Sequence, residues 1–518
     1  MSGRLWAVVG MAAVVLAALV ALRPLLPIDE TRYLAVAYEM HLSGDPLHLT
    51  KNGDLYTHKT PFLFVLINLV WLITGVSEFA ARLVAPACAA AMVAGTGVLA
   101  QRLWPVDGIG LRAALILSGF PVFLIYGSAT MFDALLGIGA LAGVAALWRI
   151  GQGETGRSAW VAFGLAVGFG VFAKGPVILV HLMPLALTLP VWAAVPPKFS
   201  AVAKGLGVAL LVAVAVTALW LVPTLLSATP DYRTELLWTQ SAARVAGGMA
   251  HDRPVWFLVA LVPILLFPWG WSWPLWRGLR GSWRADPAVR MCVIWAAFSL
   301  ILFSFISGKQ VHYLLPTFPA MALLFAYAST KAARGSFAWV PMGIVAALAV
   351  AVAAGQVSSK ELADLTPLWP VYAFAALCAG LALQMFRLPL IAGHVLAGVG
   401  LTLGLHGVIA TTGLYVAYDG RVIAALVAGS EAGGVATTQS PYNAEFNFAA
   451  RLTTTVATPP DAAAWTVWAT NHPKGMVFGL IQDTPITALP AQTLRYMGKD
   501  WGIWPATAVT SLGSVPLD

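Results

Sequence analysis

Two acidic positions are the first candidates for chemistry. Asp29 and Glu30 stand in Ile28-Asp29-Glu30-Thr31-Arg32-Tyr33, where charge returns after an apolar stretch over 5–27. Asp133 closes Ala129-Thr130-Met131-Phe132-Asp133 and opens a later apolar stretch. Ionisable groups beside hydrocarbon are costly to place and tend to mark sites. Two carboxylates at one mouth, Asp29 and Asp133, could hold a divalent cation or divide the work of base and orienting group. The plainer reading is that each is the N-cap of the helix after it. Lys59, Lys174, Arg244, Arg253 and Lys309 lie in loops that the orientation rule leaves poor in cations. Any one of them could simply snorkel, but a convergent set suits an anionic ligand, with phosphate the natural choice. Tyr56, His58, His312 and Tyr313 accompany them, and the tyrosines suit an interfacial belt equally well. His181, His394 and His406 fall inside apolar stretches and read as hydrogen-bonded interior histidines.

Positioning these groups falls to helices in a membrane. The chain of 518 residues is 59% hydrophobic and 10% charged, which excludes an ordinary soluble domain. Apolar runs of about 20 residues recur throughout, the length that crosses ~30 Å of hydrocarbon. The pattern predicts an all-α polytopic membrane protein with about 13 spans and its N-terminus inside. The first run exceeds a signal-peptide core and lacks a cleavage site before Asp29, so it reads as a retained anchor. Glu30–Leu42 is expected to be a short amphipathic helix stopped by Gly44, and Asn52-Gly53 a turn.

Phe62–Thr74 is too short to cross. If it did cross, Asp133 and the loop with Arg277, Arg280, Arg284 and Arg290 would exchange sides. With this count every Arg/Lys-rich loop is cytoplasmic, and the loops holding Asp29, Asp133, Lys174, Arg244 and Tyr313 share the outer side. The net charge of +8 therefore reflects orientation rather than nucleic-acid binding. Cys88, Cys292 and Cys378 lie in apolar runs and make neither a metal set nor a disulfide framework. Residues 1–418 are expected to form the membrane domain, with an outer loop over 28–78. Residues 419–518, of ordinary polarity, are expected to form a small outer α/β domain.

Several loop motifs carry a resemblance. They are Asp29-Glu30-Thr31-Arg32-Tyr33, Ser43-Gly44-Asp45, Tyr56-x-x-Lys59-x-Pro61 and Ser77-Glu78-Phe79-Ala80-Ala81-Arg82-Leu83. Asp133, Ala173-Lys174-Gly175-Pro176 and Gly308-Lys309-x-x-His312-Tyr313-Leu314-Leu315-Pro316 follow in order. The chain resembles the membrane glycosyltransferases that use polyprenyl-phosphate sugars, above all the lipid A aminoarabinose transferases and the protein O-mannosyltransferases. The motifs cover residues 5–330.

The resemblance implies a GT-C fold with juxtamembrane helices and a soluble outer domain. It implies that Asp29 and Asp133 line the catalytic cavity. Lys59, Tyr56 and Tyr313, joined by Lys174, Lys309 and Arg244, would lie near the donor phosphate. Glu30, His58 and His312 are left as acceptor-binding or orienting candidates. His58 replaces a frequent acidic residue, Thr60-Pro61 a frequent proline pair, and Thr239–Arg244 lacks a histidine of the aminoarabinose enzymes. These departures bear on the sugar and the acceptor.

The implied activity is inverting transfer from a polyprenyl (undecaprenyl) phosphate donor to lipid A or another envelope glycolipid. It would be carried out by a monomer at the outer face of the inner membrane, with no cofactor beyond the divalent cation considered above. The alternatives are protein O-glycosylation and transport. Transporters place ionisable groups near the bilayer midplane, whereas here the acidic groups mark span ends.

Overall fold

The computed structural model describes residues 3–239, 253–306, 308–332, 335–356 and 367–511. Arg244 and the loop with Lys360, Glu361 and Asp364 lie outside them. Helix α1 (Gly3–Ala21) is apolar from Leu5 onward and ends before Arg23-Pro24. Helix α2 (Asp29–Ser43) follows and stops at Gly44, whose φ of 67° lets its N–H return to the Met40 carbonyl. Asn52 and Gly53 (φ 55° and 80°) turn a small antiparallel hairpin, β1 (Thr50–Lys51) on β2 (Asp54–Leu55).

Helix α3 (Phe62–Thr74) has 13 residues, only about 20 Å of rise. It buries Leu63, Phe64, Ile67 and Trp71 and leaves Leu72 and Ile73 exposed. An apolar helix of that length lies along a membrane surface more readily than it crosses one.

Helices α4 (Glu78–Arg82), α5 (Val84–Leu103), α6 (Ile109–Ser118), α7 (Pro121–Ser128), α8 (Asp133–Gly151), α9 (Arg157–Lys174) and α10 (Ile178–Leu187) build the next part of the bundle. Among the described residues nine helical runs are long and apolar enough to cross a membrane, or ten if α6 and α7 are one span bent by 70°. This count falls short of the expected 13 because prolines interrupt two runs, Trp339–Ala353 has only 15 residues, and Arg157–Leu187 counts once. Pro121 opens α7 after the bend. The apolar run over 254–276 breaks into Phe257–Ala260, Val262–Leu265, Trp269–Trp271 and Trp273–Leu279, around Pro263, Pro268 and Pro274.

One of the nine runs is itself folded back. Gly139 of α8 packs on Ala166 and Gly170 of α9, whereas Gly143 meets Leu182 and Gly151 meets Trp192. So α9 runs antiparallel to α8 and the segment from α10 to Trp192 runs parallel to it. The reversal falls at Gly175, which has φ 75°. Small residues make these approaches possible, as they do where Gly164 and Gly168 seat the helix Phe199–Ser227.

Near the C-terminus β3 (Val435–Thr437), β4 (Met476–Leu480), β5 (Gln492–Tyr496) and β6 (Lys499–Pro505) form a sheet in the order β3-β4-β6-β5. The β3–β4 pair is parallel and the others antiparallel. Val435, Phe478 and Ile503 of this sheet share one apolar cluster with α2 and α3, while Ala436, Val477 and Trp504 pack with Trp465 and Trp468.

Candidate functional site

The ends of α1, α7 and α9 and the starts of α2 and α8 meet at one end of the bundle. A buried ionic clamp joins α2 and α4 to the chain after α1 and to the turn between α7 and α8. The Arg23 guanidinium donates to both carboxylate oxygens of Glu30 and, at 3.0 Å, to the Ser128 carbonyl. Glu30 also accepts from the backbone N–H of Leu26 at 3.2 Å and of Thr130 at 2.6 Å. Arg82 donates to the carbonyls of Arg23 and Pro24 and to Glu78. Burial alone would raise the Glu30 carboxyl, but the Arg23 charge and hydrogen bonds hold it down to about 2. Glu30 thus locks α2 to the turn before Asp133, and both its oxygens are engaged.

Removing one partner of such a pair strands a buried charge. Glu30→Gln is expected to cost about 3–5 kcal/mol, read as a large fall in Tm in detergent. The native carboxyl is depressed below its usual 4.5. Its stabilisation is therefore complete above about pH 4.5 and fades as the pH falls toward 2.

Neither acidic candidate is a helix cap. The N-cap of α2 is Ile28 and that of α8 is Phe132, neither with a side-chain cap bond, and Asp29 and Asp133 occupy the first helical positions. Asp29 pairs with Arg32 one turn on and stays 41% exposed. Asp133 is buried and bonded to Lys174 at 2.5 Å, with His312 Nε2 3.9 Å from its other oxygen. Lys174 also lies 4.7 Å from the Tyr313 ring centre, and His312 packs edge-on against Tyr313.

Lys59 stands over Tyr33 and Phe132 at 5.9 and 6.0 Å, within electrostatic reach of Lys174, Asp29, Asp133 and Arg32. Burial, then the Lys174 charge, push its ammonium down to about 8. Tyr56 is buried, stacks on the exposed His58, and has a hydroxyl without a hydrogen-bond partner. Burial raises that phenol, so it stays a neutral donor.

The structure thus gathers Asp29, Asp133, Lys59, Lys174, Tyr56, His312 and Tyr313. Lys309 is buried too, but its ammonium is tied to the Arg253 carbonyl. As for the divalent cation, each carboxylate is already paired with a cation. Among the described residues no group of three His, Cys, Asp or Glu side chains could hold a metal.

Sequence reasoning missed the positioning work of Arg23 and Arg82. A lone arginine at the end of an apolar run was the available signal for the first. Arg32 was also missed as the partner of Asp29, although a spacing of three on a helix allowed it.

Comparisons with known proteins bear on the fold and the sequence family. Residues 58–222 match the family model for dolichyl-phosphate-mannose-protein mannosyltransferase. The chain is similar to undecaprenyl phosphate-alpha-4-amino-4-deoxy-L-arabinose arabinosyl transferase 1 of Pseudomonas fluorescens. Identity is 29% over 302 residues, covering 57% of this chain and 54% of that protein. The corresponding transferase of Erwinia tasmaniensis is 29% identical over 356 residues, 64% of this chain and 61% of the relative. The matched segment therefore spans a little over half the length of these curated relatives. Over the whole chain the fold is similar to the crystal structure of ArnT from Cupriavidus metallidurans bound to undecaprenyl phosphate. The TM-score is 0.75 at 20% identity, covering 99% of this chain and 100% of that one. The apo structure gives the same TM-score at 19% identity.

Proposed function

We propose that this chain, which has the GT-C fold and is similar in sequence to the aminoarabinose transferases, is a membrane glycosyltransferase of the inner membrane. It moves a sugar from an undecaprenyl-type phosphate to lipid A or another envelope glycolipid. The observation that carries this reading is the convergence of Lys59, Lys174, Asp29 and Asp133 at one end of the bundle, with the free Tyr56 hydroxyl beside them.

In this reading the donor phosphate lies against Lys59, with Tyr56 as a hydrogen-bond donor. Lys174 is oriented by Asp133 and adds positive charge behind it. Asp29, the more open carboxylate, receives the proton of an acceptor hydroxyl as its oxygen attacks the anomeric carbon. The bond from that carbon to the phosphate oxygen breaks on the opposite face, so configuration inverts. The charge gained by the departing lipid phosphate falls on Lys59 through charge-assisted hydrogen bonds. A phosphate acceptor would need no base, and Asp29 would then position it.

The site is assigned to the periplasmic face, with residues 419–518 as an outer domain beside it and the enzyme working as a monomer. The family description that names a protein mannosyltransferase favours a second reading, transfer to exported proteins.

Mass spectrometry of envelope lipids from a deletion strain, complemented with the wild-type or the Asp29→Asn chain, tests the proposal. The sugar-modified lipid should vanish on deletion and return only with the wild-type chain. Its persistence in the deletion strain defeats the lipid reading, and loss of a glycan from protein instead selects the second.

A pH dependence follows from Lys59. It is charged below about pH 8 and neutral above. Affinity for undecaprenyl phosphate should fall as pH rises from 7 to 9, and Lys59→Arg should flatten that fall, since guanidinium stays charged. Binding titrations in detergent across that range check both.

A further inference from the structure

The C-terminal region reaches the same end of the bundle through residues 442–456. Phe448 stacks on Trp71 of α3 at 5.6 Å and packs edge-on against Tyr38 of α2. Asn52, in the β1–β2 turn, donates to the Val456 carbonyl and accepts from Val456 N–H and from Asn447. Tyr442 in turn donates to Asn447.

Within this seam Ala444 is fully buried with φ 57°, a left-handed conformation unfavourable for any residue with a Cβ. Such conformations persist where surrounding structure enforces them, and they cluster at functional sites. The next residue is Glu445. Its Oε2 is buried without a hydrogen-bond partner, and its carboxylate lies within electrostatic reach of Lys51 and Arg32. Arg32 is the residue that pairs with Asp29 and adjoins Lys59. Buried polar atoms around this carboxylate share its condition. The Arg32 Nε and the Tyr496 hydroxyl both lack partners, and both residues interact with the Glu445 charge. Native proteins satisfy such atoms with protein, water or ligand.

We propose that Glu445 is a specificity residue that accepts hydrogen bonds from hydroxyl groups of the donor's sugar ring. The placement explains the choice of ligand. Lys59, which with Lys174 serves the phosphate, and Glu445 both lie within electrostatic reach of Arg32. A sugar joined to that phosphate extends past Asp29 toward Glu445. An unpartnered carboxylate oxygen suits hydroxyl donors, while the Arg32 Nε–H can serve a ring oxygen. The flanking cations Lys51 and Arg32 disfavour a cationic group at this spot. The inference rests on the glycosyltransferase reading above.

The test compares bare undecaprenyl phosphate with the same lipid carrying a neutral hexose or 4-amino-4-deoxy-L-arabinose. Each is titrated into the full-length protein in detergent. The wild-type chain should bind a sugar-bearing form more tightly than the bare lipid. Glu445→Gln should erase about tenfold of that affinity and leave bare-lipid affinity unchanged, as expected for losing a hydrogen bond to a charged group. If Glu445→Gln leaves every affinity unchanged, or weakens the bare lipid equally, the site holds only water or supports the fold, and the inference is overturned. Should that variant fail to fold, Tyr496→Phe carries the same test, with a selective loss expected and no loss overturning it. A wild-type chain that binds none of these lipids defeats the glycosyltransferase reading itself, an outcome distinct from failure of the Glu445 assignment.

Discussion

Asp29→Asn should leave a folded enzyme that binds donor lipid normally and turns over about 10²–10⁴-fold more slowly, the usual contribution of a positioned proton acceptor. Asp29 makes no cap bond, keeps 41% of its side chain exposed, and shares only a surface pairing with Arg32. Such pairs contribute about 0–1 kcal/mol, so Tm should shift little. Steady-state kinetics with purified donor and acceptor check the split, with kcat falling and KM for the donor nearly constant. A parallel collapse of Tm would instead make Asp29 part of the scaffold. An unchanged kcat would mean that the acceptor needs no base, as a phosphate acceptor would not.

Asp133 should behave in the opposite way. Its carboxylate is buried against Lys174 and within reach of His312 and Lys59. Asp133→Asn leaves the Lys174 ammonium without its counter-charge, and the expected cost is about 3–5 kcal/mol of stability together with loss of activity. Lys174→Met should do the same from the other side. The double variant removes both charges and should recover much of the stability, since an ion pair replaced by apolar groups is often neutral or better. Its activity should not recover, because the charge behind the donor phosphate is gone. Melting curves for the three variants and the wild type form a double-mutant cycle. Additive losses in that cycle would show that the two side chains do not act as a pair.

The contrast shows what a residue pattern can reveal. Both aspartates look alike in sequence, each opening a helix after a polar turn, and capping was the natural competing role. The chain enters α2 through Ile28 and α8 through Phe132 without a side-chain cap, which leaves both carboxylates for other partners. Glu30 was an acceptor-binding or orienting candidate in sequence, but its main-chain partner Thr130 is 100 residues away, and no local rule connects them. The Asp133–Lys174 pair spans 41 residues and joins the top of α8 to the top of α9. It exists because small residues such as Gly139 and Gly170 let the two helices close on each other. Lys309 drew attention as a cation in an outer loop, yet its ammonium is spent on a main-chain carbonyl. Residue type could not distinguish a tethered lysine from an available one.

The sequence by itself determined the class of the protein and where its ionisable groups stand along the chain. Apolar runs of bilayer length demand helices, because backbone groups in lipid must be satisfied within a segment. Ionisable residues are driven to the ends of such runs by their desolvation cost. That is why Asp29, Asp133, Lys59 and Lys174 could be singled out, and why α3, at 13 residues, could be set apart from the crossing helices. Only the tertiary structure decided which charges neutralise one another, where prolines break a run, and that the chain reverses at Gly175. It also decided that a C-terminal carboxylate, Glu445, stands beside the Asp29–Arg32 pair. Those outcomes depend on packing between segments far apart in the chain, which the periodicity of any one segment does not encode.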